Sequence, residues 1–400
     1  MSLSLAERST LIAPSATLAM AAEAKRLKSQ GVDVLDFALG EPDFDTPANI
    51  QEAAFKAIRS GQTHYTPPAG IPELREALAK HYSQHRGLPT TAAQTVVSNG
   101  AKHSIHNALM AVCGPGDEVI IPAPYWVSYS DLVKLTGATP VVIETSEASG
   151  FKLTPDQFRA AVTPRTKLLM INSPSNPTGV VYERSELEAL ADAVLETKAG
   201  VLSDEIYEQL TYDGAEPTCF ATLRPGLADR TITISGVSKT YAMTGWRIGW
   251  ALAPLPIAKF MGDLQSQETS NPCSVSQWAA LEAIEGPQDS VVAMKEQFTR
   301  RREYVLSRIA KLPGVTCVPP GGAFYAYMNV SHYFGRTFGG TKVNDSTAFC
   351  LTALAQAHVA LVMGSAFGSE GYARLSFATS MTTLERGFDA LEAFLLNSQA

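Results

Sequence analysis

A lysine follows a β-branched run near the middle of the chain. The run Thr231–Ile234 predicts a buried strand, and Ser235-Gly-Val-Ser-Lys239 comes directly after it. A lysine held in a dry site has its ammonium form disfavoured, so its amine can attack an aldehyde. The following segment, residues 240–249, directs Arg247 back toward the same place. Without Arg247, an ordinary solvated surface lysine would be the better explanation of Lys239.

Asp204 ends another predicted strand, Val201–Leu202. A carboxylate at the end of an apolar strand is costly to bury unless it meets a cation or several hydrogen-bond donors. Capping of a helix that begins there is the alternative role, because aspartate is a good N-cap residue. Asp204 is therefore either a buried anion that needs a partner or a helix cap.

The segment Ser98-Asn-Gly-Ala-Lys102 opens a predicted helix after the strand Thr95–Val97. Backbone N–H groups of Gly100 and Ala101 at a helix start attract an anion, and the helix dipole adds to that attraction. A tight turn between strand and helix is the alternative interpretation. With Lys239 and Arg247 also near Gly100, two cations at one place indicate a doubly charged anion.

From about residue 95 to residue 253, short β-branched runs alternate with helical patterns. This alternation predicts an α/β fold with a mostly parallel seven-stranded sheet, whose carboxyl ends meet where ligands collect. Polar segments follow the strands, so we expect their side chains to converge on one site. The predicted strands are Thr95–Val97, Glu118–Ile121, Pro140–Ile143, Lys167–Ile171, Val201–Leu202, Thr231–Ile234 and Arg247–Ala251.

The pattern changes after Pro272 to a long charged helical stretch and then to mixed strands and helices, which indicates a smaller α+β unit. The first forty residues carry a helical stretch, Thr17–Gln30, and a strand-like run, Val34–Leu39. These two elements could pack beside the C-terminal unit. The predicted division is an N-terminal segment, 1–45, that joins the small domain, a large domain, 46–285, and the small C-terminal domain, 286–400.

Composition excludes several classes of protein. The net charge of -7 disfavours a nucleic acid partner. The five cysteines are scattered without C-x-x-C spacing, which argues against disulfides and zinc and favours a reducing, cytoplasmic location. The uncharged run 347–368 is long enough to suggest a membrane span, but a helix ending near Ala357 followed by a strand, Val359–Met363, explains it without a membrane.

Two histidine pairs have spacings that could place a metal ion. His81 and His85 are four residues apart, and His103 and His106 are three apart, all on predicted helices. Neither pair belongs to an H-E-x-x-H pattern, and both fall on polar helical faces. We therefore expect no metal site.

Seven short strings, spread in order over nearly the whole chain, carry a family resemblance. Four of them are Ser238 to Gly249, Asn176-Pro-Thr-Gly179, Asp204-Glu-Ile-Tyr207 and Ala373-Arg-Leu-Ser376, and with them the chain closely resembles class I aminotransferases of the aspartate aminotransferase family. The other three are Gly40-Glu-Pro-Asp-Phe44, Tyr65-Thr-Pro-Pro-Ala-Gly70 and Tyr125-Trp-Val-Ser-Tyr129, and these resemble the bacterial type Ib subgroup.

This resemblance implies the fold type I of pyridoxal 5'-phosphate (PLP) enzymes, a homodimer with shared active sites, and Lys239 as the Schiff-base lysine. Asp204 would face the pyridine nitrogen, where the attraction between opposite charges keeps that nitrogen protonated. The remaining cofactor contacts would come from Tyr207, Asn176, Trp126, Gly100, Ala101, Lys102, Arg247 and the other subunit's Tyr65. Many relatives carry a serine where this chain has Gly236, so Ser235 or Ser238 would replace it.

The resemblance further implies an amino acid and a 2-oxo acid as substrates. Arg374 would bind the α-carboxylate through its planar fork, with the backbone of Gly40, and Trp126 and Asn176 would border the substrate. Lys102, Ser15 and Thr17 would bind a second, distal carboxylate. The alternative is that Lys102 only helps to bind the phosphate and that Ser15 and Thr17 only cap a helix.

The expected activity is that of an aspartate:2-oxoglutarate aminotransferase with a ping-pong mechanism. A prephenate aminotransferase that uses glutamate or aspartate is one alternative, and a PLP-dependent lyase of the same fold is another. A non-enzymatic regulator would need a DNA-binding module, for which the first forty residues are too short and not basic enough.

Overall fold

A computed structural model of the chain describes residues 3–12 and 14–399, apart from the side chain of Glu7. The ends of the predicted small domain, residues 1–2 and 400, lie outside the described residues, as does Ala13. The α-helices are α1 (Ala16–Ser29), α2 (Ala48–Arg59), α3 (Pro72–His85), α4 (Ala101–Val112), α5 (Ser128–Leu135), α6 (Pro155–Ala161), α7 (Arg184–Leu195), α8 (Leu255–Glu268), α9 (Ser274–Glu285), α10 (Asp289–Ile309), α11 (Ser346–Ala357) and α12 (Met381–Leu396).

The strands belong to one large sheet and three smaller ones. They are β1 (Leu35–Asp36), β2 (Thr95–Ser98), β3 (Glu118–Ala123), β4 (Thr139–Glu144), β5 (Thr166–Asn172), β6 (Gly200–Asp204), β7 (Thr231–Gly236), β8 (Gly249–Leu252), β9 (Thr316–Cys317), β10 (Tyr325–Asn329), β11 (Thr337–Phe338), β12 (Thr341–Lys342), β13 (Val359–Ala360), β14 (Val362–Met363) and β15 (Tyr372–Ser376).

The large sheet has seven strands in the order β2-β8-β7-β6-β5-β3-β4. Strand β8 runs antiparallel to both of its neighbours, β2 and β7, and the other pairs are parallel. Parallel connections need helices on the sheet faces, and this is why the strands of this sheet are apolar on both sides. The predicted α/β fold with a mostly parallel seven-stranded sheet is confirmed.

Neighbouring residues of the central strands point to opposite faces of the large sheet. Met170 packs into the core that α4, α5 and α8 share, whereas Leu169 packs into the core formed with α7. The alternation follows from the two-residue period of a strand. It leaves the carboxyl ends of β5, β6 and β7 as the polar edge of this three-layer arrangement.

The C-terminal elements form a second core around the antiparallel sheet β14-β15-β10-β9. Strand β1 pairs in parallel with β13, so that Leu35 lies opposite Val359. Helix α1 buries Met20 and Ala24 in the same core. The N-terminal elements therefore contact the C-terminal ones, although they are far apart in sequence.

Three strand predictions differ from the structure. The run Val34–Leu39 forms only the two-residue strand β1. The run Val359–Met363 divides at Leu361, because β13 pairs with β1 whereas β14 pairs with β15. The run Arg247–Ala251 begins as a strand only at Gly249, because Arg247 has a φ of +56°, which no extended strand residue adopts.

Within the described residues, no helix is both long and apolar enough to cross a membrane.

Candidate active site

A cavity of about 440 Å³ lies at the carboxyl ends of β5, β6 and β7, between the large sheet and the core of the C-terminal elements. That volume is within the usual range for sites of small molecules. Most of the side chains that the sequence singled out converge here. Those that line the cavity are Ser15, Thr17, Gly40, Ala101, Lys102, Trp126, Asn176, Asp204, Tyr207, Ser238, Lys239, Arg247 and Arg374.

Lys239 lies in the turn after β7 and reaches into the cavity. Its Nζ donates a hydrogen bond to the carbonyl of Gly40 over 2.5 Å. Burial lowers the pKa of the amine to about 8; the charges of Arg374 and Arg247 also lower it, and Glu41 and Asp204 oppose them. A lysine with this pKa is partly unprotonated near neutral pH and can act as a nucleophile or base.

Asp204 is the last residue of β6 and is only 4 % exposed. One carboxylate oxygen accepts a hydrogen bond from the hydroxyl of Tyr129 over 2.6 Å, and the other accepts one from the amide of Ile206 over 3.2 Å. Burial raises the pKa of Asp204 to about 6 despite these donors. Residues 205–209 form turns rather than an α-helix, so Asp204 is not a helix cap.

Arg374 lies on β15 and is 1 % exposed. Its two terminal nitrogens donate to Asn176 Oδ1 (2.9 Å) and to the carbonyl of Ala38 (2.8 Å), and its guanidinium lies 4.5 Å from the ring centre of Tyr325. Within the described residues it pairs with no carboxylate, and its Nε is buried without a partner. A buried cation in this state is suited to a bound anion.

The N-terminus of α4 forms an open cradle with Arg247. Gly100 has a φ of +88°, and a Cβ at this position would overlap the guanidinium of Arg247. A Cβ at Gly249 would overlap the backbone of Ala101, so the start of β8 packs directly against the start of α4. The free N–H groups of a helix start and a guanidinium together favour an anion such as a phosphate.

Three predicted residues do not line the cavity. Gly100 lies just behind it, in the cradle. The hydroxyl of Ser235 points away from the cavity, and its one hydrogen can be donated either to the carbonyl of Glu205 (3.5 Å) or to Glu208 Oε1 (3.4 Å). Tyr65 is 90 % exposed.

The presence of glycine at position 236 in place of a larger residue has a steric explanation. A Cβ there would lie 3.0 Å from Gly249 Cα and 3.0 Å from the carbonyl oxygen of Ile248, closer than side chains normally approach. A serine at this position would therefore require β7 and β8 to move slightly apart. Of the two alternatives, Ser238 lines the cavity and Ser235 does not.

The outer part of the cavity holds Lys102, Trp126, Ser15 and Thr17. The ammonium of Lys102 lies 4.9 Å from the ring centre of Trp126, and burial, followed by the charge of Arg247, lowers its pKa. Ser15 caps α1, since its oxygen accepts from the amide of Leu18 over 3.4 Å. Ser15 thus has a capping role, and its hydroxyl hydrogen is still available to a ligand.

Sequence reasoning missed two tyrosines. Tyr129 donates to Asp204, and Tyr325 shares a 2.8 Å hydrogen bond with Tyr207 while it packs on the guanidinium of Arg374. Tyr129 ends a motif that carried the resemblance, so its position was visible although its partner was not. Tyr325 is the first residue of β10, in the core of the C-terminal elements, and comes shortly after Gly321 and Gly322. Its sequence context gives no indication that it contacts Tyr207 or Arg374.

The histidine pairs do not form a metal site in the part of the chain that the structure describes. His103 and His106 both contact Glu268, at 3.2 Å and 3.3 Å, which gives them a carboxylate partner between α4 and α8. The rings of His81 and His85 lie 5.3 Å apart. All five cysteines are free thiols.

The chain is similar to known proteins over nearly its full length. Residues 32–391 match the family model for aminotransferases of classes I and II. It is 48 % identical to an aspartate/prephenate aminotransferase of Cereibacter sphaeroides, with 96 % of each chain covered, and 46 % identical to an aspartate aminotransferase of Geobacillus stearothermophilus, with 98 % of each covered.

Among solved structures, an aspartate aminotransferase of Thermus thermophilus with maleate superposes with a TM-score of 0.93 at 41 % identity, covering 98 % of this chain and 100 % of the other. The geometry of the cavity and the similarity in sequence and fold thus agree. The chain belongs to the class I and II aminotransferase family, and it is an aminotransferase.

Proposed function

We propose that this aminotransferase uses PLP to transfer the amino group of aspartate to 2-oxoglutarate by a ping-pong mechanism. One observation carries the proposal: a nucleophilic lysine, a buried carboxylate and a buried arginine that pairs with no carboxylate among the described residues face the same cavity. These are Lys239, Asp204 and Arg374.

The charges of the cavity fit PLP at both of its ends. The cradle of Gly100, Ala101 and Arg247, with Ser238 beside it, suits a phosphate dianion. Asp204 is a buried carboxylate whose described partners are a hydroxyl and an amide, so a protonated pyridine nitrogen would supply its missing cation.

Tyr207, Asn176 and Trp126 would hold the ring of the cofactor, because all three line the space between Asp204 and Arg374. Tyr207 and Asn176 carry polar groups for the ring oxygen, and Trp126 offers an aromatic face. When bound, PLP supplies an aldehyde for the amino group and an electron-accepting ring.

Lys239 would have two roles in the reaction. Its amine anchors the cofactor in the resting enzyme, and once the substrate amine has displaced it, Nζ takes the proton from the substrate's Cα. The lowered pKa, near 8, leaves a usable fraction of the unprotonated amine at neutral pH. The hydrogen bond to the Gly40 carbonyl holds the amine on the side of the cavity that the N-terminal segment lines.

Arg374 would bind the α-carboxylate of the substrate. Asn176 and the Ala38 carbonyl fix the plane of the guanidinium before substrate arrives. A glycine at position 40 leaves space for Tyr325, the ring that packs on this guanidinium. A Cβ at position 40 would lie 2.9 Å from the hydroxyl of Tyr325. A fixed planar fork gives both affinity and a defined orientation of Cα toward Lys239.

A second carboxylate would lie near Lys102, Ser15 and Thr17. Lys102 has no carboxylate partner among the described residues, so its charge is available to the substrate. The Thermus thermophilus relative was solved with maleate, which is a four-carbon dicarboxylate. Prephenate is the second candidate acceptor, and the name of the Cereibacter sphaeroides relative favours it.

We further propose that residues 1–45 and 286–400 form one domain, that residues 46–285 form the other, and that the enzyme is a homodimer in the cytoplasm. The pairing of β1 with β13 supports the domain division. Tyr65 is almost fully exposed, and in a dimer it would reach the phosphate of the other subunit's cofactor. Free thiols fit a reducing compartment.

The decisive experiment adds substrates in two steps to the purified PLP-loaded protein. Aspartate alone should yield oxaloacetate in an amount equal to that of the enzyme, and turnover should begin only when 2-oxoglutarate is added. A lyase would instead consume the amino acid continuously without a 2-oxo acid. Prephenate in place of 2-oxoglutarate, with aspartate or glutamate as the donor, decides between the two acceptors through their kcat/KM values.

A further inference from the structure

The end of β6 and the loop after it have two faces. Asp204 and Tyr207 face the cavity, whereas Glu205 and Glu208 point to the opposite side, where they are only 2 % and 4 % exposed. Two buried carboxylates are expensive unless a cation pairs with them. The side of the loop that faces away from the cofactor therefore needs an anchor.

Arg86, directly after α3, is that anchor. Its Nη2 lies 2.9 Å from Glu205 Oε2, and its Nε lies 2.9 Å from Glu208 Oε2, an ion pair whose angle is poor for a hydrogen bond. Its Nη1 donates to the carbonyl of Pro217 over 2.9 Å. One guanidinium thus joins both carboxylates to a second loop, through three different nitrogens.

The same cluster reaches β7, the strand that precedes the turn with Lys239. Glu208 Oε1 lies 3.4 Å from the hydroxyl of Ser235 on β7 and 3.5 Å from that of Tyr82, which in turn accepts from the indole of Trp250. Burial raises the pKa of Glu208 to about 7, against the lowering effect of Arg86 and together with the charge of Glu205. On the side away from the cavity, the cluster therefore contacts both the loop after β6 and the end of β7.

We propose that Arg86 is a positioning residue for the transamination: by joining Glu205 to Glu208, it fixes the end of β6 and the loop after it, from which Asp204 and Tyr207 reach the cofactor. The inference rests on the proposed use of PLP. It has an electrostatic side as well, because the charge of Glu205 is felt at Asp204 and raises the pKa of that carboxyl.

The first test is Arg86→Lys, which keeps the charge but cannot make three contacts at once. We expect the dissociation constant of PLP to rise about tenfold, as for the partial loss of a buried charge pair. We also expect the visible circular dichroism of the bound cofactor to weaken, because Asp204 and Tyr207 no longer hold one orientation of the ring. KM for aspartate should change less than kcat.

Arg230→Lys is the matched control. Arg230 lies at the amino end of the same sheet region and donates to the carbonyls of Val194 (3.4 Å), Thr197 (2.6 Å) and Ala199 (2.5 Å), just before β6. It anchors β6 at the end that is remote from the cavity. Loss of these contacts in Arg230→Lys should lower the melting temperature without changing the affinity for PLP or the visible circular dichroism of the bound cofactor.

Glu205→Gln is the second variant, and it keeps the protein testable if Arg86→Lys fails to fold. It retains the side-chain shape and the Arg86–Glu208 pair but removes the negative charge that acts on Asp204. The protonated form of the bound chromophore should then lose support, so the pH midpoint of its visible absorption should fall by a few tenths of a pH unit. A role in stability alone predicts no such shift.

The outcomes separate this inference from the proposed function. If the wild-type protein binds no PLP, the proposed function fails and the variants are irrelevant to it. If the wild-type protein binds PLP but Arg86→Lys changes affinity and circular dichroism no more than Arg230→Lys, the positioning role is wrong. An unchanged absorption midpoint in Glu205→Gln would show that the electrostatic part is wrong.

Discussion

The floor and the mouth of the cavity are built in different ways. The floor, defined by Lys239, Asp204 and Arg374, consists of enclosed charged groups whose pKa values are shifted by burial. The mouth, defined by Ser15, Thr17 and Lys102, lies at the start of α1 and of α4; Ser15 and Thr17 are half-buried, and Lys102 is exposed. Enclosed charges are costly and need fixed partners, whereas groups in contact with solvent can change without disturbing the core.

This contrast suggests a division of labour between chemistry and specificity. Floor residues are held by hydrogen bonds from both cores, such as Arg374 to Asn176 and Lys239 to Gly40. In the mouth, Lys102 packs over Trp126 through a cation–π contact. Changes in the floor should therefore affect every substrate, and changes in the mouth should affect only those with a second carboxylate.

The largest expected effect is that of Lys239→Ala. Loss of both anchor and base should lower kcat by at least about 10⁴-fold for every amino acid, whereas the fold is kept because the side chain borders an open cavity. Steady-state rates and far-UV circular dichroism check the two parts. Borohydride reduction of the wild-type enzyme and peptide mapping should place the cofactor on Lys239, and a label on Lys102 would overturn the assignment.

The next effect is that of Arg374→Ala. Truncation of a buried charge partner costs about 2–5 kcal/mol, so kcat/KM should fall for nearly every amino acid, with or without a second carboxylate. The control substrate is an amine of similar size that lacks an α-carboxylate. An equal loss with that amine would mean that Arg374 supports the fold of the site rather than the substrate.

The floor should also make the cofactor-free protein depend on pH. The pKa of Lys239 is 10.5 when unfolded and about 8 when folded, so between these values the unfolded chain binds more protons and the free energy of unfolding rises with pH. Below pH 8 the enclosed ammonium destabilises the fold. Lys239→Met should therefore be more stable than wild type at pH 7, by about 2 kcal/mol, with the difference vanishing toward pH 10.

Denaturant midpoints of both proteins at several pH values measure this difference. Lys102→Met is the control from the mouth, where the pKa shift is smaller and the pH dependence should be weaker. A constant difference between Lys239→Met and wild type across this pH range would show that the ammonium is not strained in the fold.

The sequence indicated that two of the floor residues lie together, because they lie at the ends of neighbouring parallel strands. Asp204 closes β6 and Lys239 follows β7, and neighbouring parallel strands bring their carboxyl ends together. The α/β class, the seven strands and the convergence at one edge follow from the same periodicity. Arg374 was found only through the resemblance, since its partner Asn176 lies 198 residues away and no local pattern encodes that contact.

What the sequence could not predict depends on close approach between distant segments. The division of residues 359–363 into two strands follows from pairing with β1 and β15, and the glycine at 236 follows from contact between β7 and β8. The orientation of Ser235 toward Glu208 has the same origin. Each of these features is set by neighbours across the sheet and not by the residue's own surroundings in the chain.

The smallest expected effect, and the one that tests the mouth, is that of Lys102→Ala. If the ammonium binds the distal carboxylate, kcat/KM for aspartate should fall roughly tenfold, as for the loss of one charge-assisted hydrogen bond, while alanine and phenylalanine change little. Lys102 also lies two residues beyond Gly100 and near Arg247, so a role at the phosphate is the competing explanation.

The comparison of substrates separates these two roles. A contact with phosphate would weaken PLP binding and reduce kcat/KM by the same factor for all amino acids, whereas a contact with substrate leaves the dissociation constant of PLP unchanged. Thr17→Val is the matched variant on the other side of the mouth, because it removes a hydroxyl at nearly constant volume. A selective loss with dicarboxylates in both variants supports the division between floor and mouth; a uniform loss in Lys102→Ala would assign that lysine to the floor.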